Sequence, residues 1–313
     1  MTIDGQSRGR PWTLEGIIVP LITPLNADET LDEAGLERLV EHVIAGGVSG
    51  VFLLGSSGEG PALGEAVKER LVRAVAEQAR GRVPVLVGVL AVGTRRTVEE
   101  ARRLVKQGGD AVVVTAPYYF AHSQAEIAAH VSHVARALDL PVLLYNIPQM
   151  VKTIVEPETV ARLAEVPGIV GIKDSQGDMV RFQSLLALQA SRPEFAVFQG
   201  AEGVVALSLA RGAAGAVLGL ANVAPGLCCE LYESARTGNL PRAWALQERL
   251  MLLWKLHTRG QWLPCLKMAV SQLGVCGPTA SAPFAPLDRR AIAAIRRDME
   301  AAGVSPLPAG RSC

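Results

Sequence analysis

Short apolar segments alternate with longer amphipathic segments from residue 16 to about residue 220. The short segments are apolar at consecutive positions, which is typical of parallel strands buried on both faces. Eight strands are therefore predicted, at Ile17–Ile22, Gly50–Leu54, Val83–Val89, Ala111–Thr115, Val142–Tyr145, Ile169–Lys173, Phe195–Gln199 and Ala216–Leu220.

The longer segments have helical spacing. After the first strand, apolar residues recur at i, i+3, i+4 and i+7 from Leu36 to Val43, which places them on one buried helix face. Seven helices are predicted between the strands, at Asp32–Ala45, Gly64–Ala79, Thr97–Gln107, Ser123–Leu138, Pro157–Ala164, Met179–Ala190 and Glu202–Arg211. Only helices are predicted after the last strand, at Ala224–Thr237, Arg242–His257, Trp262–Leu273 and Arg289–Ala302.

Eight strand–helix units in about 200 residues fit a closed (β/α)8 barrel, the TIM-barrel form of the α/β class. A doubly wound open sheet is the alternative that the same pattern allows. The predicted organisation is a flexible tail at 1–14, a barrel at 15–223, and the last barrel helix with a C-terminal helical extension at 224–302. Residues 303–313 are predicted to form a second tail.

Composition narrows the class of protein. The net charge is +1, from 31 basic and 30 acidic residues, and aromatic residues make up 4% of the chain. This balance argues against a nucleic-acid partner, which needs a clustered basic surface. We expect a cytoplasmic protein, because neither a membrane-spanning stretch nor a secretory signal is found. The five cysteines form no C-x-x-C pair, so no metal and no other cofactor is expected.

In a barrel, catalytic residues lie at the carboxyl ends of the strands. Lys173 ends the sixth predicted strand, and Asp174 and Ser175 follow it. A buried lysine is either paired with an acid or kept uncharged, and an uncharged amine is a nucleophile toward ketones and aldehydes. Position alone leaves both interpretations open.

Other polar residues follow neighbouring strands. The turn from Gly55 to Gly58 contains Ser56 and Ser57 and suits a carboxylate, although an ordinary Gly/Ser turn has the same composition. Glu59 is interpreted as a cap of this turn. Tyr145 ends the fifth strand, where it either relays protons or only donates a structural hydrogen bond.

Some polar residues are interpreted as structural. His130 and His133 are three residues apart on a predicted helix, and partial exposure accounts for them. Cys228 and Cys229 belong to the core of a helical segment. Tyr118 and Tyr119, adjacent on a loop, are typical of packing or interface residues.

An amine, a phenol and a carboxylate-binding turn together provide what imine chemistry on a 2-oxo acid requires. In that interpretation the amine attacks the ketone, the phenol moves protons, and the turn holds the carboxylate. The resulting protonated imine accepts the electrons of a breaking carbon–carbon bond.

The chain resembles the dihydrodipicolinate synthase / N-acetylneuraminate lyase family of pyruvate-handling class I aldolases from about residue 14 to about residue 302. The resemblance lies in four motifs that occur in the family's order: Gly55-Ser56-Ser57-Gly58-Glu59, Tyr118-Tyr119, Tyr145-Asn146-Ile147-Pro148 and Gly171-Ile172-Lys173-Asp174.

The resemblance implies a role for each matching residue. Lys173 is the imine-forming residue and Tyr145 the general acid/base. Ser56, Ser57 and Gly58 belong to the carboxylate-binding turn, and Ser57 also relays protons with Tyr145. The substrate-binding set further includes Ser175, Gly200 and the carbonyl of Val217. Tyr119 reaches the site of a neighbouring subunit, which implies a homotetramer built as a dimer of dimers.

One departure bears on the substrate. Dihydrodipicolinate synthases resemble one another in having an arginine two residues after the Tyr-Asn-x-Pro motif, where this chain has Met150 after Gln149. The segment from Asp174 to Asp178 is more similar to the 4-hydroxy-2-oxoglutarate aldolase branch. Ser175 and Gln149 are candidates for contacts with the aldehyde.

The predicted function is cleavage of a 4-hydroxy-2-oxo acid, either 4-hydroxy-2-oxoglutarate-like or a 2-keto-3-deoxy sugar acid, to pyruvate and an aldehyde. Dihydrodipicolinate synthase and a keto-deoxy-sugar-acid dehydratase are alternatives on the same scaffold. A non-catalytic 2-oxo-acid-binding protein is the alternative from a different class.

Overall fold

A computed structural model describes residues 14–306, which contain eight strands in one closed barrel. Each strand pairs in parallel with the next, and the last pairs with the first, so the open-sheet alternative is wrong. The strands are β1 (Gly16–Pro20), β2 (Gly50–Leu53), β3 (Val85–Val89), β4 (Ala111–Thr115), β5 (Val142–Asn146), β6 (Ile169–Asp174), β7 (Ala196–Gln199) and β8 (Gly215–Val217).

Helices alternate with these strands and continue after them. They are α1 (Glu33–Ala45), α2 (Glu65–Ala79), α3 (Thr94–Val105), α4 (Gln124–Arg136), α5 (Pro148–Val151), α6 (Pro157–Leu163), α7 (Met179–Ser191), α8 (Val205–Ala210), α9 (Pro225–Arg236), α10 (Leu240–Trp254), α11 (Trp262–Gln272) and α12 (Arg289–Ala301). The TIM barrel with additional C-terminal helices is therefore confirmed. The predicted tails lie outside the described residues except at 14 and 303–306.

Side-chain caps fix where several helices begin. Asp32 accepts a hydrogen bond from the Gly35 N–H before α1, and Asp178 does the same for the N–H groups of Val180 and Arg181 at the start of α7. Ser123 forms a capping box before α4. These bonds satisfy amide groups that have no partner within the first helical turn.

The first and last strands end earlier than predicted, at Pro20 instead of Ile22 and at Val217 instead of Leu220. The amide of Asn222 accepts a hydrogen bond from the Ile22 N–H and donates one to the Pro20 carbonyl, each over 3.0 Å. The Asn222 side chain thus takes hydrogen-bonding positions that a neighbouring strand's backbone would otherwise fill, so β1 ends at Pro20. Beyond β8 the chain turns into a 3-10 helix at Gly219–Asn222.

Two further interpretations can be judged by burial. His130 is buried rather than partly exposed, and its Nδ1 lies 2.9 Å from Oγ1 of Thr94. Burial lowers the pKa of His130 to about 4, which keeps it uncharged at neutral pH. Cys228 is buried, as predicted for a core residue, whereas Cys229 is only partly buried at the edge of the core. Within residues 14–306, no helix combines the length and apolarity needed to cross a membrane.

Candidate active site

A cavity of about 250 Å³ opens at the carboxyl ends of the strands. Successive strands and the loops that follow them supply its lining, as expected for a barrel of this kind. Seven residues of the predicted site line it: Ser56, Ser57, Tyr145, Lys173, Ser175, Gly200 and Val217.

Lys173 and Tyr145 occupy paired positions on the neighbouring strands β6 and β5. The Lys173 amine lies 4.0 Å from the centre of the Tyr145 ring and 5.1 Å from that of Phe52. The side chains of Phe52 and Tyr145 meet edge to face, with ring centres 5.9 Å apart. The lysine is thus enclosed by two aromatic rings.

Lys173 is only 4% exposed, yet it takes part in none of the ion pairs formed within residues 14–306. Asp174, the next residue in the chain, does not pair with Lys173. Successive strand residues point to opposite faces of the sheet, so the Asp174 carboxylate forms its hydrogen bonds on the other side. Asp174 Oδ2 accepts a hydrogen bond of 2.7 Å from the amide of Asn146. The interpretation of Lys173 as a paired structural lysine therefore finds no partner.

The bond between Asn146 and Asp174 joins the ends of β5 and β6. The Gln176 N–H donates a second hydrogen bond, of 3.0 Å, to Asp174 Oδ1. Burial raises the pKa of Asp174, and these two hydrogen bonds oppose that rise. The network holds the strand ends that carry Tyr145 and Lys173 at a fixed separation.

Gly200 and Ser175 lie directly beside the lysine. A Cβ atom on Gly200 would be 3.1 Å from Lys173 Cε and 2.1 Å from Ser175 Oγ. The Gly200 N–H donates a hydrogen bond of 2.7 Å to the Asp174 carbonyl, which fixes the end of β7 against β6. Only glycine fits here without moving the lysine or the serine.

We expect Gly200→Ala to lower kcat about 100-fold, since a displacement near 1 Å at a reacting group has that order of effect. Steady-state kinetics measure this. The double variant Gly200→Ala/Ser175→Ala removes the nearest clashing atom and should recover part of the loss. Wild-type activity in the single variant would contradict the steric argument.

The turn after β2 is tight. The Gly60 N–H donates to the Gly55 carbonyl over 3.2 Å, and Thr23 Oγ1 donates to the Gly58 carbonyl over 2.8 Å. A Cβ on Gly58 would be 2.9 Å from the Leu21 carbonyl oxygen, so the backbones pack closely there. Gly58 therefore packs behind the turn, whereas both serines line the cavity.

The interpretation of Glu59 as a simple cap is wrong. Its carboxylate is buried and forms an ion pair with Lys267 of α11. Glu59 Oε2 also accepts a hydrogen bond of 2.7 Å from the Ser281 N–H, and Lys267 donates one of 2.6 Å to the Thr279 carbonyl. These contacts attach the turn after β2 to the C-terminal extension.

Breaking this buried pair on one side should be costly. We expect Glu59→Gln to lower the free energy of unfolding by about 3–5 kcal/mol, because it leaves the Lys267 ammonium buried without its counter-charge. The double variant Glu59→Leu/Lys267→Met removes both charges and should regain part of the stability. Chemical denaturation followed by circular dichroism compares the two. Equal free energies of unfolding for wild type and Glu59→Gln would show that the ion pair does not stabilise the fold.

Among the cavity residues that sequence reasoning missed are Glu202, His257 and Trp262. Glu202 begins a 3-10 helix after β7, His257 lies in a 3-10 helix at Lys255–Thr258, and Trp262 begins α11. The position of Glu202 just after a strand end was a usable signal. Nothing in the pattern indicated that the helices after β8 return to the cavity.

Met150 and Gln149 line the cavity, but Tyr119 does not. Gln149 Nε2 donates a hydrogen bond of 2.7 Å to the Ser175 carbonyl. Tyr119 is 87% exposed and meets Phe120 edge to face, with ring centres 5.0 Å apart. Across residues 14–306, no three His, Cys, Asp or Glu side chains are grouped closely enough to hold a metal ion.

Comparison with known proteins identifies the family. The model of the dihydrodipicolinate synthetase family matches residues 13–302. The chain belongs to this family. It is therefore a carbon–carbon lyase of the Schiff-base type.

Relatives and solved structures agree with this assignment. The 4-hydroxy-tetrahydrodipicolinate synthase of Salinibacter ruber is 36% identical over 277 residues, which are 88% of this chain and 91% of the relative. The structure of dihydrodipicolinate synthase from Bacteroides thetaiotaomicron is 38% identical, with a TM-score of 0.87, and the match covers 92% of this chain and 98% of the other. The family member YagE of E. coli, solved with pyruvate, is 29% identical with a TM-score of 0.89 over 93% and 99% of the two chains.

Proposed function

We propose that this protein forms an imine between Lys173 and pyruvate and reversibly cleaves a 4-hydroxy-2-oxo acid to pyruvate and an aldehyde. The observation that carries the proposal is the buried Lys173 amine, which borders the cavity and lies 4.0 Å from the Tyr145 ring centre. Within residues 14–306 it has no acidic partner. The pyruvate complex of YagE supports the choice of the 2-oxo acid.

Lys173, Tyr145 and Ser57 each have a separate role in the reaction. The Lys173 amine attacks C2 of the substrate, and loss of water gives a protonated imine. Tyr145, together with Ser57, accepts the proton of the C4 hydroxyl as the C3–C4 bond breaks, and the bonding electrons enter an enamine. Protonation of C3 and hydrolysis of the imine release pyruvate and restore the amine.

The substrate carboxylate belongs at the turn after β2. Ser56 and Ser57 both border the cavity, and their hydroxyls together with the backbone N–H groups of the turn suit an anion. Val217, at the end of β8, lines the same cavity. This arrangement presents C2 of a bound 2-oxo acid to Lys173.

Dihydrodipicolinate synthase activity is the second candidate, because named relatives carry it. Met150 argues against it, because this residue, 48% exposed at the cavity, stands where the family resemblance implies an arginine for the second substrate's carboxylate. A bidentate arginine contributes charge-assisted hydrogen bonds that a thioether lacks.

Two measurements test the proposed function. Borohydride added with pyruvate should attach a reduced adduct to Lys173, detected by intact mass and peptide mapping. A coupled assay with pyruvate and aspartate semialdehyde should show little turnover. The absence of an adduct would overturn the imine mechanism, and robust turnover of aspartate semialdehyde would establish the second candidate instead.

The proposed function includes an oligomeric state. Tyr119 and Phe120 are 87% and 68% exposed at the mouth of the barrel, which is unusual for adjacent aromatic residues. We expect them to be covered by another copy of the chain in a homotetramer. Sedimentation equilibrium measures the mass, and a monomer at all concentrations would contradict this assembly.

A further inference from the structure

A buried threonine contacts the turn after β2 from behind. Thr23 lies in the loop after β1, is fully buried and does not line the cavity. Its hydroxyl Oγ1 donates a hydrogen bond of 2.8 Å to the Gly58 carbonyl, which is 35 positions away in the chain. A side chain outside the cavity is thus bonded to the backbone of the turn that the proposed function assigns to the substrate carboxylate.

Two other carbonyl groups of this turn are also engaged. The Gly55 carbonyl accepts a hydrogen bond of 3.2 Å and the Ser56 carbonyl one of 3.3 Å, both from N–H groups later in the chain. Thr23 supplies the donor for the Gly58 carbonyl. Carbonyl oxygens carry partial negative charge, so hydrogen bonds that hold them inside the turn keep them away from an approaching carboxylate.

The N–H groups of Ser56 and Ser57 show the opposite arrangement. Within residues 14–306, neither of them donates a hydrogen bond to another backbone group, and both serines line the cavity. Successive N–H groups of this kind are the donors from which backbone anion sites are built. The turn therefore has donors available beside the cavity, while three of its acceptors are engaged elsewhere.

The loop after β8 fixes the position of Thr23. The N–H of Ile22, the preceding residue, donates a hydrogen bond of 3.0 Å to Oδ1 of Asn222, which is fully buried. The Asn222 amide group donates to the Pro20 carbonyl over 3.0 Å and to the Gly219 carbonyl over 2.8 Å. Side-chain hydrogen bonds thus join the loops after β8 and β1 to the turn after β2.

We propose that Thr23 is a positioning residue for the 2-oxo acid: it holds the Gly58 carbonyl back, so that the turn after β2 binds the substrate carboxylate. This inference rests on the proposed function, because it takes pyruvate to bind at this turn. Without the Thr23 hydroxyl, the Gly58 carbonyl is a buried acceptor that has lost its partner. Its peptide group is then free to rotate, and the turn is no longer arranged for an anion before the substrate arrives.

Thr23→Val keeps the shape of the side chain and removes the hydroxyl. We expect the pyruvate concentration that gives half-maximal borohydride trapping to rise about tenfold, the scale of one lost hydrogen bond. Trapping at saturating pyruvate should still go to completion, because Lys173 is intact. Thr23→Ser restores the hydroxyl and should restore the wild-type concentration. An unchanged concentration in a folded Thr23→Val protein would overturn the role of Thr23.

A matched control separates positioning from stability. Thr97 is also buried, and its hydroxyl donates a hydrogen bond of 3.0 Å to the Gly93 carbonyl, but it lies in α3 and does not line the cavity. Thr97→Val removes the same kind of bond and should leave the half-maximal pyruvate concentration unchanged. An equal rise in Thr97→Val and Thr23→Val would show a general effect of lost stability and would refute the positioning role.

A ketone without a carboxylate tests whether Thr23 acts through the turn. Acetone has a carbonyl group for the Lys173 amine but no group for the turn. The rate of borohydride trapping with acetone should be the same in Thr23→Val and wild type, whereas the rate with subsaturating pyruvate should fall about tenfold. Equal slowing with both ketones would mean that Thr23 affects the amine itself, which would overturn the proposal.

The wild-type protein separates this outcome from that of the proposed function. A wild type that forms no adduct with pyruvate refutes the imine mechanism. A wild-type adduct combined with an unchanged pyruvate dependence in Thr23→Val refutes only the role of Thr23. If Thr23→Val does not fold, Thr23→Cys decides, because a thiol is a weaker donor than a hydroxyl. The half-maximal concentration should then rise in Thr23→Cys, and an unchanged value counts against the proposal.

Discussion

Lys173→Ala is expected to abolish turnover, with kcat falling on the order of 10⁶-fold, the scale on which loss of a covalent nucleophile is felt. Among residues 14–306, Lys173 is the one lysine that lines the cavity, so its amine is the group there that can form an imine. The variant should also form no adduct with pyruvate and borohydride. Steady-state kinetics and intact mass measure the two effects.

A matched variant separates chemistry from folding. Lys106 is exposed at the end of α3, far from the strand ends, so Lys106→Ala should keep both activity and adduct. Circular dichroism should show the same helical content for Lys173→Ala as for the wild type. Turnover retained by a folded Lys173→Ala protein would exclude the imine mechanism.

Tyr145→Phe is expected to have the second large effect on kcat. The ring stays in place against Phe52 and Lys173, but the phenolic proton is lost. We expect kcat to fall by about 10²–10⁴-fold, as is usual when general acid/base help is removed. The pyruvate adduct should still form, more slowly, because the amine remains. Rapid-quench trapping measures the rate of adduct formation, and steady-state assays measure kcat.

The control for Tyr145→Phe is Tyr232→Phe. Tyr232 is another buried tyrosine, but it lies on α9 and packs near Gly16, at the opposite end of the barrel from the cavity. That variant should retain wild-type kcat. Equal kcat in Tyr145→Phe and wild type would mean that the hydroxyl moves no proton in the rate-limiting steps.

Most of the fold could be predicted from the local pattern of apolar and polar residues. Consecutive apolar residues such as those of Val142–Tyr145 indicate a strand buried on both faces, and eight such segments separated by helices close a parallel barrel. The prediction failed where a tertiary contact replaced a local one, as when the Asn222 side chain ended β1. The short helix α5 was missed because four residues are too few to show a period.

The central part of the site could also be predicted, because barrel topology brings strand ends together whatever their side chains are. Lys173 and Tyr145 end neighbouring strands, so their closeness follows from strand order alone. The positions of Ser56, Ser57 and Gly200 near them can be predicted in the same way, because these residues also lie at or just after strand ends. The burial of Asp174 on the opposite side from the lysine follows from strand alternation.

By itself, the sequence determined the barrel, the lysine at the end of β6 and the tyrosine beside it, since these depend on short-range patterns and on a topology that the patterns specify. Only the tertiary structure decided which groups complete the cavity wall. Glu59 meets Lys267, and Glu202 meets His257, because the extension after β8 folds back over the carboxyl ends of the strands. Such pairs join residues far apart in the chain, and no spacing rule connects them. The packing of the extension decides them, and with them the charge along the cavity wall.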